Sequence, residues 1–198
     1  MSSEQTSITF PSALKLDLGL DLKEDRLVMI AHTTANGARA MLLTRRMLVV
    51  LMDHYGNILG QTGPAAKAQL KHRNEILQME HIGALFSGTE QRTSASGEQQ
   101  QPVSIELHPE NVHLVTEVTM QMNGDHLIIG FSGQRQYTAS GNESEVTPVA
   151  AVNLDRNHAH KVLALLNDKA REAGWGLDTL YPWLNNSRLV TSEQRPAN

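Results

Sequence analysis

The chain carries nine histidines and no cysteine, so imidazole is the side chain here best able to bind a metal or move a proton. The spacings argue against both. In His158-Ala159-His160, positions i and i+2 on a helix project about 200° apart and cannot easily share an ion. His72 and His81, nine residues apart, fall on different helical faces, and His108 and His113 flank a proline-containing turn. No His-Glu-x-x-His pattern occurs, so the histidines read as structural or surface groups. Without cysteine there are no disulfides, no thiol nucleophile and no zinc site needing sulfur. A Gly-x-Ser-x-Gly elbow and a phosphate-binding glycine loop are also absent, and Ser132-Gly133 reads as an ordinary turn. Neither metal nor cofactor is expected.

Carboxylates offer a second chemistry. Asp17 and Asp21 lie on one face of an alternating segment, and Glu117 and Gln121 occupy the matching places 100 residues on. Such groups could act as general acid and base. They are also what the solvated face of a strand normally carries, and that reading is preferred. Arg45 and Arg156 each fall in the first turn of an expected helix, where the macrodipole disfavours cations. They are candidates for an anion or partner contact. The favoured alternative is an arginine reaching back to a strand carboxylate or capping the sheet, since the dipole penalty is only roughly 0.3–1 kcal/mol. Trp175, Tyr181 and Trp183 concentrate aromatic surface near the end of a chain that is only 4% aromatic. Packing of this segment onto the domain is favoured, and Trp183 is kept as a possible partner hot spot.

The elements that must position these groups come in two copies. Residues 14–30 and 114–130 share one pattern without gaps: Leu14, Leu16, Leu18, Leu20 and Leu22 match Leu114, Thr116, Val118, Met120 and Met122. Asp25-Arg26-Leu27-Val28-Met29 matches Asp125-His126-Leu127-Ile128-Ile129, and after loops of different length Met41–Arg45 matches Val152–Arg156. Period-2 alternation predicts strands at 14–22, 26–32 and 38–43, then at 111–122, 125–132 and 148–154, with a short one at 103–107. Asn36-Gly37 and Asn123-Gly124 signal tight turns, and 133–147 reads as a loop. Thr44 and Asp155 can each cap a following helix, the first to about residue 58, the second ended by Gly174.

A further helix, opened by Pro64 and running to Phe86, has no counterpart in the second half. Ala66, Leu70, Leu77 and Ala84 cluster on one side, and Ile76, Met79, Ile82 and Phe86 broadly on the other. A helix on a single core needs one stripe, so the second points to another part of the chain or to a partner. The expected fold is α+β: a tandem strand-strand-strand-helix repeat, antiparallel sheets (two, or one continuous) covered by helices, pseudo-twofold, with one extra helix between the repeats. The expected organisation is a flexible 1–12, a first repeat plus extra helix at 13–86, a polar linker at 87–102, a second repeat plus aromatic segment at 103–184, and a flexible tail at 185–198.

Net charge is −4, which weighs against nucleic-acid or anionic-membrane binding. The longest apolar run, Met47–Met52, is six residues, and the polar N-terminus is no signal peptide, so a cytoplasmic protein without a membrane segment is expected. The leading function is a non-catalytic protein–protein interaction module (an adaptor, accessory or assembly subunit) meeting a protein partner or itself as a homo-oligomer. Its candidate contacts are Ile76, Met79, Ile82, Phe86, Arg45, Arg156 and Trp183. The alternative is single-stranded nucleic-acid binding, because tandem units of strands followed by a helix resemble, in topology only, the Whirly and Pur-alpha type folds. That resemblance implies binding through the sheet. An enzyme with carboxylates or histidines gathered between the repeats ranks third.

Overall fold

The computed structural model describes residues 9–34, 37–87, 108–135, 145–177 and 183–184. The expected linker beyond Ser87, the 103–107 strand, Asn36, Tyr181 and the 185–198 tail lie outside them. Each repeat opens with an antiparallel meander: β1 (Ala13–Asp21), β2 (Arg26–Thr33) and β3 (Gly37–Thr44), then β4 (Val112–Asn123), β5 (His126–Arg135) and β6 (Thr147–Asp155). β2 shows the physical pattern most clearly. Leu27, Met29, Ala31 and Thr33 are buried and the residues between them half-buried, as alternation over one core requires. In the β1–β2 turn the Asp21 carboxylate accepts the backbone N–H groups of Lys23 and Glu24, and Asp25 takes a positive φ of 51°. Both ends of the polar loop expected at 133–147 belong to strands, because β5 runs on to Arg135 and β6 begins at Thr147; residues 136–144 lie outside the described residues.

The six strands form one sheet in sequence order, antiparallel except where β3 meets β4. That parallel seam is short: Ala40 with Val112, Met41 with His113, Leu42 with Leu114. The repeat relation carries Val112 to Ser12 and Ala40 to Ala151, and those two residues form a second parallel bridge. The Ala151 N–H donates to the Pro11 carbonyl at 2.8 Å. The sheet is therefore closed upon itself at one end by the same contact made twice. Residues 10–12 join the fold here, with Phe10 lying over Gly130.

α1 (Arg45–Gln61) and α4 (Arg156–Glu172) follow β3 and β6. Both N-caps are made: Thr44 Oγ1 accepts from Met47 N at 3.2 Å, and Asp155 Oδ1 from His158 N at 2.8 Å. α1 packs on β4 and α4 on β1, so each helix sits beside the seam that its own β3 or β6 begins. Their core positions correspond pairwise: Leu48 with Ala159, Leu51 with Val162, Met52 with Leu163, Tyr55 with Leu166, Leu59 with Ala170. No helix among the described residues is long and apolar enough to cross a membrane.

The extra helical segment is not one rod. It divides into α2 (Gly63–Lys67), a single 3-10 turn at Leu70–His72, and α3 (Arg73–Phe86). The reason is burial. On one straight helix Ala65 and Leu77 would lie about 120° apart around the axis and about 18 Å apart along it. The extended residues Ala68 and Gln69 let both reach the core, at 0% and 3% exposure. Ala66 and Leu70, expected on one side with Leu77 and Ala84, are exposed while those two are buried.

Tyr55 lines a small apolar cavity with Leu16, Met29, Leu51 and Phe131. Its hydroxyl is buried with no hydrogen-bond partner among the described residues, and burial raises its pKa far above the usual phenol value. Removing an orphan hydroxyl relieves a desolvation cost, whereas removing the ring opens a void. Tyr55→Phe should leave the urea midpoint unchanged or raise stability by up to about 1 kcal/mol. Tyr55→Ala should cost about 3–5 kcal/mol. A loss of more than about 1 kcal/mol for Tyr55→Phe would mean that the hydroxyl has a partner.

Candidate functional site

α3 presents two faces of opposite character. Leu77, His81 and Ala84, spaced i, i+4, i+7, are 3%, 2% and 1% exposed, and this helix packs on α4. About half a turn round lie Met79 and Phe86, 71% and 43% exposed, with half-buried Ile82 between them. Ile76 sits on the flank and packs against the core. Leu70 and Leu85 are also exposed, so four of the nine large apolar side chains exposed among the described residues fall within 70–86. That concentration separates this surface from scattered exposed leucines, which are normal.

Beneath it, Arg156 ties three helices together. Its Nε and Nη2 donate to the two Glu80 carboxylate oxygens at 2.7 and 2.8 Å, a bidentate pair. Nη2 also donates to the Leu59 carbonyl at 2.9 Å and Nη1 to Thr62 Oγ1 at 3.0 Å. The cation is thus unfavourably placed at the start of α4 but favourably placed at the end of α1, where unpaired carbonyls gather partial negative charge. The arginine reaches a carboxylate on α3, not one on a strand. Gly63 makes room: its φ is +61°, and a Cβ there would sit 2.8 Å from the guanidinium carbon. Arg45, in the matching position of α1, is exposed and makes no side-chain hydrogen bond among the described residues. The two arginines are not brought together as a symmetric pair.

One turn from this node, three rings meet. His81 of α3 and His160 of α4 have centroids 5.5 Å apart, and Trp183 stands edge-on to both, at 5.4 and 6.2 Å. His160 and Trp183 are 1% and 4% exposed, so Trp183 is an internal packing group. His81 Nδ1 and both ring nitrogens of His160 lack hydrogen-bond partners among the described residues. Loss of water pushes His81 down to about 4, opposed by Asp168. It pushes His160 down to about 3, with His81 and Arg156 adding repulsion. Trp175 is buried too and donates from Nε1 to Asp25 in the β1–β2 turn.

The other candidates stay apart. Asp17 is occupied on the sheet by Lys15 and His32, the latter at 2.7 Å, and the Lys15 hydrogen bond chiefly lowers its pKa. Asp21 serves its turn, and Glu117 is exposed. His158 bonds its own cap residue Asp155, and His72 pairs with Glu75 three residues on. Buried His113 is pushed down by desolvation between Arg39 and Arg135. Among the described residues no three His, Cys, Asp or Glu side chains converge as a metal site would need. The chain matches no known family model, and no curated protein or solved structure is detectably similar to it.

Sequence spacing did not bring out the Glu80–Arg156 pair or the paired histidines. One signal was present: His81 lies four residues after Leu77 and three before Ala84, squarely on the buried stripe. A double-mutant cycle tests the node. Arg156→Ala or Glu80→Ala alone should cost about 2–4 kcal/mol in urea denaturation, since each leaves a largely buried charge unpaired. The double substitution should cost clearly less than the sum. Additivity within about 0.5 kcal/mol would show the pair to be uncoupled.

Proposed function

We propose that the protein is a non-catalytic interaction module that docks another protein, or a second copy of itself, through the outer face of α3. The observation that carries this reading is the stripe of Met79, Ile82 and Phe86 on the outer side of α3, on an insertion with no counterpart among the described residues of the second repeat. Its chemistry suits a partner. Methionine adapts to irregular surfaces, and an aromatic ring supplies large contact area at low entropic cost. The stripe also stands on a stiff base, because the opposite side of α3 is held by Arg156 and by the buried rings. Preorganised surfaces lose less entropy on binding.

The competing nucleic-acid reading draws less support. The outer sheet face carries Asp17, Asp21 and Glu117, and Phe86 is the one exposed aromatic among the described residues, away from the sheet. Stacking platforms need both cationic grooves and exposed rings.

The test is sedimentation velocity over a concentration series, with native pull-down and absorbance at 260 and 280 nm. Met79→Glu combined with Phe86→Glu should weaken self-association or partner retention by at least about thirtyfold, the scale of a hot-spot loss. The thermal midpoint should move by no more than a few degrees, as expected for exposed positions. Association unchanged by the double substitution, or a eluate whose 260 nm absorbance nuclease removes, would overturn the reading.

A further inference from the structure

His81 and His160 sit where a histidine pair is costly. Both are almost fully buried, their rings touch, and three of their four nitrogens have no hydrogen-bond partner among the described residues. Buried polar groups left so are rare in folded proteins and mark a place where stability has been given up or a further species enters. A metal ion is a poor candidate. No third ligand among the described residues converges on the pair, and the Arg156 guanidinium repels a cation there. A proton is a better one, because the pair lies at the contact between two helices, α3 and α4.

We propose that His81 and His160 form an acid-sensitive clasp, which holds α3 and Trp183 against α4 at neutral pH and releases them on acidification. The charged and titratable neighbours fix the direction. From α3 itself comes Glu80, whose carboxylate is already engaged by Arg156 in two hydrogen bonds. α4 contributes Asp168, which favours a proton on His81, and Arg156, which opposes one on His160. Trp183 and Leu184 bring no titratable group. One proton on either ring raises the cost of a second, since the rings are neighbours and share little water.

Docked imidazoles resist protonation, while released ones titrate near the ordinary value of 6.5. The released state therefore binds more protons, and docking weakens as pH falls. It is strongest above about 6.5, and the loss grows down to about 4 for His81 and about 3 for His160. Between pH 7.5 and 5 the opening equilibrium should shift toward release by about thirtyfold for each imidazole. The inference does not depend on what, if anything, binds the outer face of α3.

The experiment is residue-resolved hydrogen exchange on the full chain between pH 7.5 and 4.5, corrected for intrinsic rates, with imidazole titration by NMR on the same samples. We expect α3 amides to lose at least tenfold protection by pH 5 while β2 and β5 stay protected. His81 and His160 should remain neutral well below pH 6. In a His81→Leu, His160→Phe variant the α3 protection should become flat with pH. Protection of α3 that is independent of pH in the wild type, or titration of both rings near 6.5, would overturn the clasp. So would a variant whose α3 protection falls with pH as in the wild type. If that variant fails to fold, the wild-type titration and exchange profile still decide.

Discussion

Everything in this molecule follows from one constraint: a three-stranded meander has an apolar face that one helix cannot cover alone. Leu27, Met29 and Ala31 on β2, and Leu127, Ile129 and Phe131 on β5, are buried only because two meanders close over a shared interior. Closure is made by two short parallel seams, Ala40–Leu42 with Val112–Leu114 and Ser12 with Ala151. Parallel neighbours in sequence need a crossover, and α1, which follows β3 and packs on β4, is part of the crossover at the first seam while also filling the interior. Two copies of one plan thus supply both the walls and the filling, and pseudo-twofold symmetry is the outcome.

The insertion breaks that symmetry in an informative way. By sequence α2 and α3 belong to the first repeat, but by packing α3 belongs to the second, lying on α4. Arg156 is the reason this placement is specific. Its guanidinium satisfies the end of α1, the hydroxyl at the break and a carboxylate on α3 at once. Apolar contact alone would let α3 slide or rotate on α4, whereas a bidentate pair fixes its register. The cost of a cation at a helix start is offset by a helix end beside it. The insertion is thereby turned so that its second apolar stripe faces outward.

Much of the architecture was legible in the residues. The match of 14–30 with 114–130 carried the repeat, alternation carried the strands, and Thr44 and Asp155 carried the helix starts, because each of these is written in neighbouring positions. What was not legible depends on contacts between distant residues. Nothing local marks Ala40 as a partner of Val112, or Glu80 as a partner of Arg156. Helical periodicity ran through Ala68 and Gln69 without a glycine or proline to flag the bend, and the tertiary demand of Ala65 and Leu77 decided it. The candidate site was half legible. Met79 and Phe86 emerge outward and Ile82 partly so, while Ile76 and Trp183 are drawn inward by the core and by the histidine pair.

The measurement that bears most directly on α3 as the working surface is methionine methyl NMR of the full chain, recorded across a dilution series and in an extract of the cell that makes it. Met79 is exposed on α3, Met29, Met41 and Met52 are buried in the shared interior, and Met120 and Met122 on β4 pack against that interior. Perturbation or broadening of the Met79 methyl signal, with the interior methyls unmoved, is the expected result. A Met79 signal that stays sharp and unshifted while association is seen by sedimentation would place the working surface elsewhere and contradict it.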